Sequence, residues 1–175
     1  MTSVRPRIAP PRQSVGPRYG TRIDLVAKEL ARATVRLDRV DAVVTELVRL
    51  KCARTHDCRL CQSLRLQAAV QAGLDEAAVA QVDHYSHSDL GEAGKLALQL
   101  AEAMLASPVT IDPQLRAGLR AHFSDAELTE LILDIVKWSQ QKILVALRLD
   151  EPLGEGLRGI RYDADGNTHY EPVLP

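Results

Sequence analysis

The sequence predicts an all-α fold, and three observations support this prediction. Hydrophobic residues make up 46% of the 175-residue chain, and most are alanine, leucine and valine, of which the first two favour helices. Aromatic residues account for only 3%, whereas strands are usually enriched in aromatic and β-branched side chains. Apolar residues also recur at helical spacing along most of the chain. The length favours one domain that buries its own core, with additional arms.

Residues 1–21 are predicted to form an extended arm that precedes the helical domain. They contain four prolines and four arginines, and the first acidic residue is Asp24. Because proline excludes a continuous helix, the arm is interpreted as a free extended segment or as one that wraps a neighbouring subunit. The prolines also argue against an organellar transit peptide, which should form an amphipathic helix.

Helical patterns fill the middle of the chain, residues 22–151. They lie at residues 23–37, 38–53, 58–72, 75–82, 90–106, 112–122 and 124–149. The predicted N-caps are Asp38, Asp75, Asp112 (with Pro113 as the alternative start) and Ser124, the last in a capping-box pattern with Glu127. Residues 84–88 are polar and are predicted to form a loop.

The C-terminal extension, residues 152–175, is predicted to be irregular or to form a short hairpin. Pro152 ends the helical part. Two strand-like runs, residues 160–162 and 168–170, flank turn-forming residues at 164–167.

The charge balance and the cysteine content limit the classes of partner. Basic and acidic residues number 22 and 23, so neither nucleic acid nor an anionic membrane is expected as a partner. No apolar run is long enough to span a bilayer, and the N-terminus has no apolar segment typical of a secretion signal. Three cysteines, two of them in a Cys-x-x-Cys, favour a reducing, cytoplasmic location.

Cys58 and Cys61 are the residues that indicate chemistry. They are one helical turn apart, so they share a face and can form a disulfide. The predicted helix start would stabilise a thiolate through unpaired backbone N–H groups, and Arg54, Arg59 and Arg65 add positive charge nearby. The pair therefore has the layout of a dithiol in which one thiolate attacks a peroxide or disulfide and the other resolves the product.

Two other interpretations of the cysteines remain open. The pair could be two structural cysteines on one buried helix face, or half of a metal site that His56, with or without Cys52, would complete. A structural zinc site usually takes four ligands in two pairs, and no second pair exists, so neither a metal nor another cofactor is expected. Cys52 is interpreted as a core residue, with a third redox thiol as the alternative.

The segment around the pair resembles the signature of the carboxymuconolactone decarboxylase / alkylhydroperoxidase AhpD-like family. That signature is Glu, eleven residues, Cys-x-x-Cys, three residues and His; Glu46, Cys58 and Cys61 match it, and Arg65 stands in place of the His. The resemblance covers roughly residues 23–150. It implies an AhpD-like helical domain, assembled as a homotrimer or homohexamer.

The resemblance also implies an activity and roles for individual residues. The redox branch of the family reduces small-molecule peroxides, and a lipoyl or thioredoxin-like protein recycles the pair. By this likeness Cys61 is the peroxidatic residue, Cys58 the resolving residue and Glu46 a proton relay. An arginine does not exchange protons near neutral pH, so Arg65 would stabilise a thiolate or pair with Glu46, and His56 could act as the base instead.

The function is therefore predicted to be that of a thiol-dependent peroxidase or disulfide reductase, with two alternatives. One is a carboxymuconolactone decarboxylase-like enzyme, against which the cysteine pair counts. The other is a non-catalytic redox sensor or oligomeric scaffold, which the missing histidine favours. Glu46 has a purely structural interpretation as well, as a buried partner of Arg49 or Arg65.

Overall fold

The computed structural model describes residues 22–106 and 109–173, so the predicted arm at residues 1–21 lies outside the described residues. The helices are α1 (Arg22–Thr34), α2 (Ala42–Thr55), α3 (Arg59–Gln62), α4 (Gln67–Gln71), α5 (Glu76–Ala80), a 3-10 helix (Gln81–His87), α6 (Glu92–Leu105), α7 (Pro113–His122), α8 (Asp125–Ser139) and α9 (Gln141–Leu147). The strands are β1 (Leu64–Leu66), β2 (Arg158–Tyr162) and β3 (Thr168–Pro172), which form one sheet in that order. The predicted helical fold is confirmed, with this small sheet added. Among the described helices, none has the length and apolar character needed to cross a membrane.

Helix α2 forms the centre of the core. Every residue from Glu46 to Ala53 is buried. On one side Val44 and Val48 pack with α6, α7 and α8, and on the other Leu47 and Leu50 pack with α4 and the 3-10 helix. Since neighbours surround α2, any polar side chain on it must find its partners inside the protein.

The predicted caps of three other helices are confirmed. In each case a side-chain oxygen accepts a hydrogen bond from a backbone N–H of the first turn, which would otherwise lack a partner. These caps are Asp75 on α5, Asp112 on α7 and Ser124 on α8, where Glu127 completes the capping box.

The predicted cap of α2 is wrong: the cap is Asp41, not Asp38. The carboxylate of Glu130 on α8 accepts hydrogen bonds from the backbone N–H groups of Arg39 and Val40, both at 3.1 Å. Because these two N–H groups are bound to Glu130 of α8, α2 begins only after Val40. The contact joins residues 90 positions apart, which local sequence pattern does not reveal.

The predicted helix at residues 58–72 is wrong in its middle part, because β1 separates α3 from α4. Strand β1 pairs in parallel with β2, with Leu64 opposite Arg158 and Leu66 opposite Ile160. The sheet provides hydrogen bonds that a continuous helix would have made internally. Two smaller differences are a break between α8 and α9 at Gln140 and a 3-10 helix where residues 84–88 were predicted to form a loop.

The predicted C-terminal hairpin is confirmed and contacts α1. Strands β2 and β3 are antiparallel, with Tyr162 opposite Thr168 next to the turn. Gly166 in this turn has φ +74°, and a Cβ atom there would lie 2.6 Å from the backbone oxygen of Arg32. The Arg32 guanidinium also donates to Asn167. The close approach of the turn to α1 therefore requires glycine.

We expect Gly166→Ala to lower the free energy of unfolding by about 2–4 kcal/mol. The new Cβ atom would clash with the Arg32 backbone, and alanine is strained at a positive φ. Gly156→Ala is the matched control, since Gly156 has φ +78° with open space around it; it should cost about 1 kcal/mol. Urea denaturation followed by circular dichroism measures both. Equal losses would show that the turn does not contact α1 closely.

Candidate redox site

Cys58 and Cys61 lie at the turn between α2 and α3 and are joined by a disulfide. Asp57 adopts a left-handed φ of 52° just after the end of α2, which redirects the chain. Cys58 is the N-cap of α3, and the Cα atoms of the two cysteines are 5.3 Å apart. The prediction that this pair can form a disulfide is confirmed.

Both cysteines are buried beneath aliphatic side chains. Cys58 is fully buried and Cys61 is 6% exposed. The side chains that pack around the pair are Ala53, Leu60, Leu144 and Val145. The backbone N–H of Cys61 donates to Cys58 Sγ at 3.3 Å. Such a hydrogen bond would favour negative charge on Cys58 in the reduced pair, while Cys61 is the cysteine closer to solvent.

The arginines expected to add positive charge near the pair are each matched with a carboxylate. Arg54 donates to Asp83 at 2.9 Å, and Arg59 donates to Asp150 at 3.1 Å. Arg65 pairs with Glu76, as described below. Each arginine charge is therefore largely neutralised by its carboxylate. The arginines stabilise a thiolate at the pair less than the sequence indicated.

Asp150 fixes the segment after α9 against the cysteine turn. Its backbone oxygen accepts a hydrogen bond from Leu60 N–H at 2.8 Å, and its carboxylate accepts from the backbone N–H and the guanidinium of Arg59. Burial raises the pKa of Asp150, but the hydrogen bonds from Arg59 outweigh this effect and the net pKa is lowered. The carboxylate is therefore charged at neutral pH and holds α3 in place.

Glu46 and Arg49 form an ion pair in the centre of the core, both almost fully buried. Arg49 donates to both carboxylate oxygens, at 2.6 and 2.7 Å. It also donates to the backbone oxygens of Cys61 at 2.8 Å and Leu64 at 2.6 Å. Burial lowers the pKa of Arg49, whereas Glu46 raises it, and the net shift is upward. Glu46 thus contacts Arg49 and reaches the cysteine segment through that side chain.

Arg65 binds Glu76 of α5 and not Glu46. The guanidinium donates to the two Glu76 oxygens at 2.7 and 2.8 Å and to the backbone oxygens of Gln62 and Leu64. The hydrogen bonds from Arg65 lower the pKa of Glu76. At the position where the signature has a histidine, this chain therefore has a side chain that ties β1 to α5.

The histidines differ in their relation to the pair. His56 caps the C-terminal end of α2, is partly buried, and has an Nε2 atom that is inaccessible to solvent. Burial, followed by the charge of Lys142, lowers the pKa of His56, so its imidazole is neutral at pH 7. His84 and His87 are exposed in the 3-10 helix. In residues 22–106 and 109–173, no group of three or more His, Cys, Asp or Glu side chains could hold a metal ion.

Cys52 is a free, fully buried thiol in the main core cluster, as predicted for a core residue. Burial raises its pKa to about 12, although the charge of Arg49 opposes this shift. A buried thiol with such a pKa is protonated at neutral pH and is therefore a weak nucleophile.

Sequence reasoning missed three parts of this site. The spacing of Glu46 and Arg49 allows an ion pair, but nothing in the sequence indicates that Arg49 binds the Cys61 backbone. Asp150 lies far along the chain and was not singled out. Gln141, which has both side-chain polar atoms buried, carries no local signal.

We expect Glu46→Gln to lower the free energy of unfolding by about 3–5 kcal/mol, because it leaves the Arg49 charge buried without a counter-charge. The control is Glu29→Gln, which removes an exposed partner of Arg32 and should have little effect. Urea denaturation of the oxidised protein measures both changes. A loss in Glu46→Gln as small as in the control would contradict the structural role of the pair.

Cys52 should resist alkylation in the folded, oxidised protein. With its pKa raised to about 12, only roughly one thiol in 10⁴ is ionised at pH 8, and that fraction rises with pH. Iodoacetamide at pH 8 followed by mass spectrometry should find no modified cysteine in the native protein and one in urea. Equal labelling rates in both conditions would show that Cys52 is reactive.

No model of a protein family matches the chain. Two uncharacterised proteins of Mycobacterium tuberculosis, MT2376 and Rv2313c, are 35% identical to it over 138 residues, which cover 78% of this chain and 49% of each relative. The uncharacterised protein YnjA of Escherichia coli is 33% identical over 93 residues, 53% of this chain and 51% of that protein. The chain thus spans about half the length of the curated relatives it matches.

Solved structures identify the fold. A protein of unknown function from Agrobacterium tumefaciens, described as a candidate antioxidant defence protein AhpD, matches with a TM-score of 0.60 and 18% identity over 76% of this chain and 90% of that one. The debrominase Bmp8, solved as a cysteine-to-alanine variant with 2,3,4-tribromopyrrole, also matches with a TM-score of 0.60, at 16% identity over 71% of this chain and 67% of that one. The chain has the AhpD-like helical fold.

Proposed function

We propose that this chain is a thiol-dependent peroxidase or disulfide reductase that uses the Cys58–Cys61 pair. The observation that carries the proposal is the disulfide at the start of α3, with Cys61 the more exposed residue. The likeness to the Agrobacterium protein described as a candidate antioxidant protein supports it. Since a debrominase has a similar fold, the fold alone does not decide the reaction.

In the proposed reaction the Cys61 thiolate attacks one oxygen of a peroxide. A sulfur–oxygen bond forms as the oxygen–oxygen bond breaks, and the leaving oxygen takes a proton and departs as water or alcohol. Cys58 then attacks the Cys61 sulfenic acid, and the disulfide forms as the sulfenic oxygen leaves as water. The two thiols supply the two electrons that reduce one peroxide. A lipoyl or thioredoxin-like dithiol restores the pair by exchange.

Glu46 is proposed to act on the pair through Arg49. The carboxylate holds the guanidinium, and the guanidinium holds the backbone oxygen of Cys61. This link positions Cys61 without a direct contact between Glu46 and sulfur. The proton-relay role that the resemblance implies for Glu46 stays a prediction, and Arg65, bound to Glu76, supplies no proton acceptor.

The proposal includes a homotrimer or homohexamer in the cytoplasm. Large apolar side chains are exposed on two helices that contact each other, Leu25 and Val26 on α1 and Ile132 and Val136 on α8. Burial of these side chains between subunits would remove apolar surface from water. Light scattering after size-exclusion chromatography measures the assembly.

Peroxide oxidation of the reduced protein tests the proposed reaction. We expect hydrogen peroxide and an alkyl hydroperoxide to remove two thiols rapidly from the wild type. Cys61→Ser should lose this reaction, and Cys58→Ser should stop at a sulfenic acid that dimedone traps. Cys52→Ser is the control and should react like the wild type, since Cys52 is a protonated core thiol. Stopped-flow fluorescence and thiol counting follow the reaction.

Two outcomes would favour the alternatives. Slow oxidation without turnover by any electron donor would indicate a redox sensor or a scaffold. Turnover of a carboxylated lactone that survives loss of both Cys58 and Cys61 would indicate a decarboxylase-like enzyme.

A further inference from the structure

Within residues 22–106 and 109–173, three side chains have buried polar atoms without a hydrogen-bond partner. Among the described residues, the buried side-chain atoms of this kind are His56 Nε2, Trp138 Nε1 and both amide atoms of Gln141. Gln141 is 5% exposed, so neither end of its amide is satisfied by bulk solvent. Buried polar groups normally have a partner, and a group without one calls for an explanation such as a ligand.

Helix α9 packs against the cysteine pair, and Gln141 is its first residue. Trp138 lies under the Arg49 guanidinium, 5.8 Å from the ring centroid, and Arg49 binds the Cys61 oxygen. One turn after Gln141, Leu144 and Val145 pack against the cysteines. Residues three and four apart share a helix face, so Gln141 is on the face of α9 that carries Leu144 and Val145.

His56 approaches the same place from α2. It is two residues before Cys58, and the charge of Lys142, the neighbour of Gln141, acts on its imidazole. Ala53 in the last turn of α2 packs with Leu144 and Val145 around the pair, so α9 and the C-terminal end of α2 meet there. His56 Nε2 and the two amide atoms of Gln141 are buried there without a hydrogen-bond partner among residues 22–106 and 109–173.

We propose that Gln141, with His56 opposite, forms the site that binds the oxygen atoms of the hydroperoxide attacked by Cys61. This inference rests on the proposed function. A glutamine amide has two N–H donors and one acceptor oxygen, which complements a hydroperoxide, since that group both donates and accepts hydrogen bonds.

The proposed site accounts for the protons of the reaction. The neutral His56 imidazole accepts the proton of the Cys61 thiol and returns it to the leaving oxygen as the sulfur–oxygen bond forms and the oxygen–oxygen bond breaks. The Gln141 N–H donates to the leaving oxygen while it carries negative charge. Thiol and hydroperoxide thus become sulfenic acid and alcohol or water, with no further reactant.

The variant Gln141→Met tests this assignment, because methionine has a similar length and cannot make these hydrogen bonds. Gln140→Met is the matched control, since the adjacent glutamine is partly exposed. We expect the rate constant of peroxide oxidation to fall about 100-fold in Gln141→Met and to stay unchanged in Gln140→Met. Alkylation of the reduced pair by iodoacetamide should be equal in all three proteins, and the urea midpoint of Gln141→Met should equal or exceed that of the wild type.

Three results would overturn the inference. Peroxide oxidation of Gln141→Met within twofold of the wild-type rate would exclude a role in peroxide binding. An equal fall in the iodoacetamide rate would show that Gln141 affects the thiolate and not the peroxide. If peroxide does not oxidise even the wild type, the proposed function fails and this inference fails with it, whereas the first two results leave the proposed function intact.

Discussion

The buried ion pair between Glu46 and Arg49 is the interaction on which the rest of the site depends. Two charges in the centre of α2 are stable there only because they neutralise each other and because Arg49 has further acceptors. Those acceptors are the backbone oxygens of Cys61 and Leu64, which mark the end of the cysteine turn and the start of β1. A single guanidinium therefore fixes the position of the redox pair relative to the core.

The sheet extends this constraint to the C-terminal hairpin. Strand β1 follows the cysteines directly and pairs with β2, while β3 and the turn at Gly166 bring the hairpin against α1. Asp150 adds a second connection, because it binds α3 from the segment after α9. The cysteine turn is thus held from both sides. Because Arg54, Arg59 and Arg65 are each paired with a carboxylate, these arginines leave little positive charge free to stabilise a thiolate at the pair.

The parts of the fold that could be predicted are those with a local physical cause. Helical periodicity located most helices, side-chain caps fixed the starts at Asp112 and Ser124, and the spacing of Cys58 and Cys61 indicated their disulfide. The errors share another cause, which is contact between distant segments. Strand β1 forms because β2 pairs with it, and α2 begins late because Glu130 anchors the residues before it. The burial of the Gln141 amide could not be predicted either, because it depends on residues that are distant in the sequence.

Sustained turnover tests the central claim most directly. Peroxide consumption is measured with excess dihydrolipoamide as the electron donor, for the wild type and for Cys61→Ser. The account predicts many peroxides reduced per wild-type chain and none above background for the variant, because each cycle must pass through the Cys58–Cys61 disulfide. Consumption of no more than one peroxide per chain, or equal turnover in the variant, would contradict it.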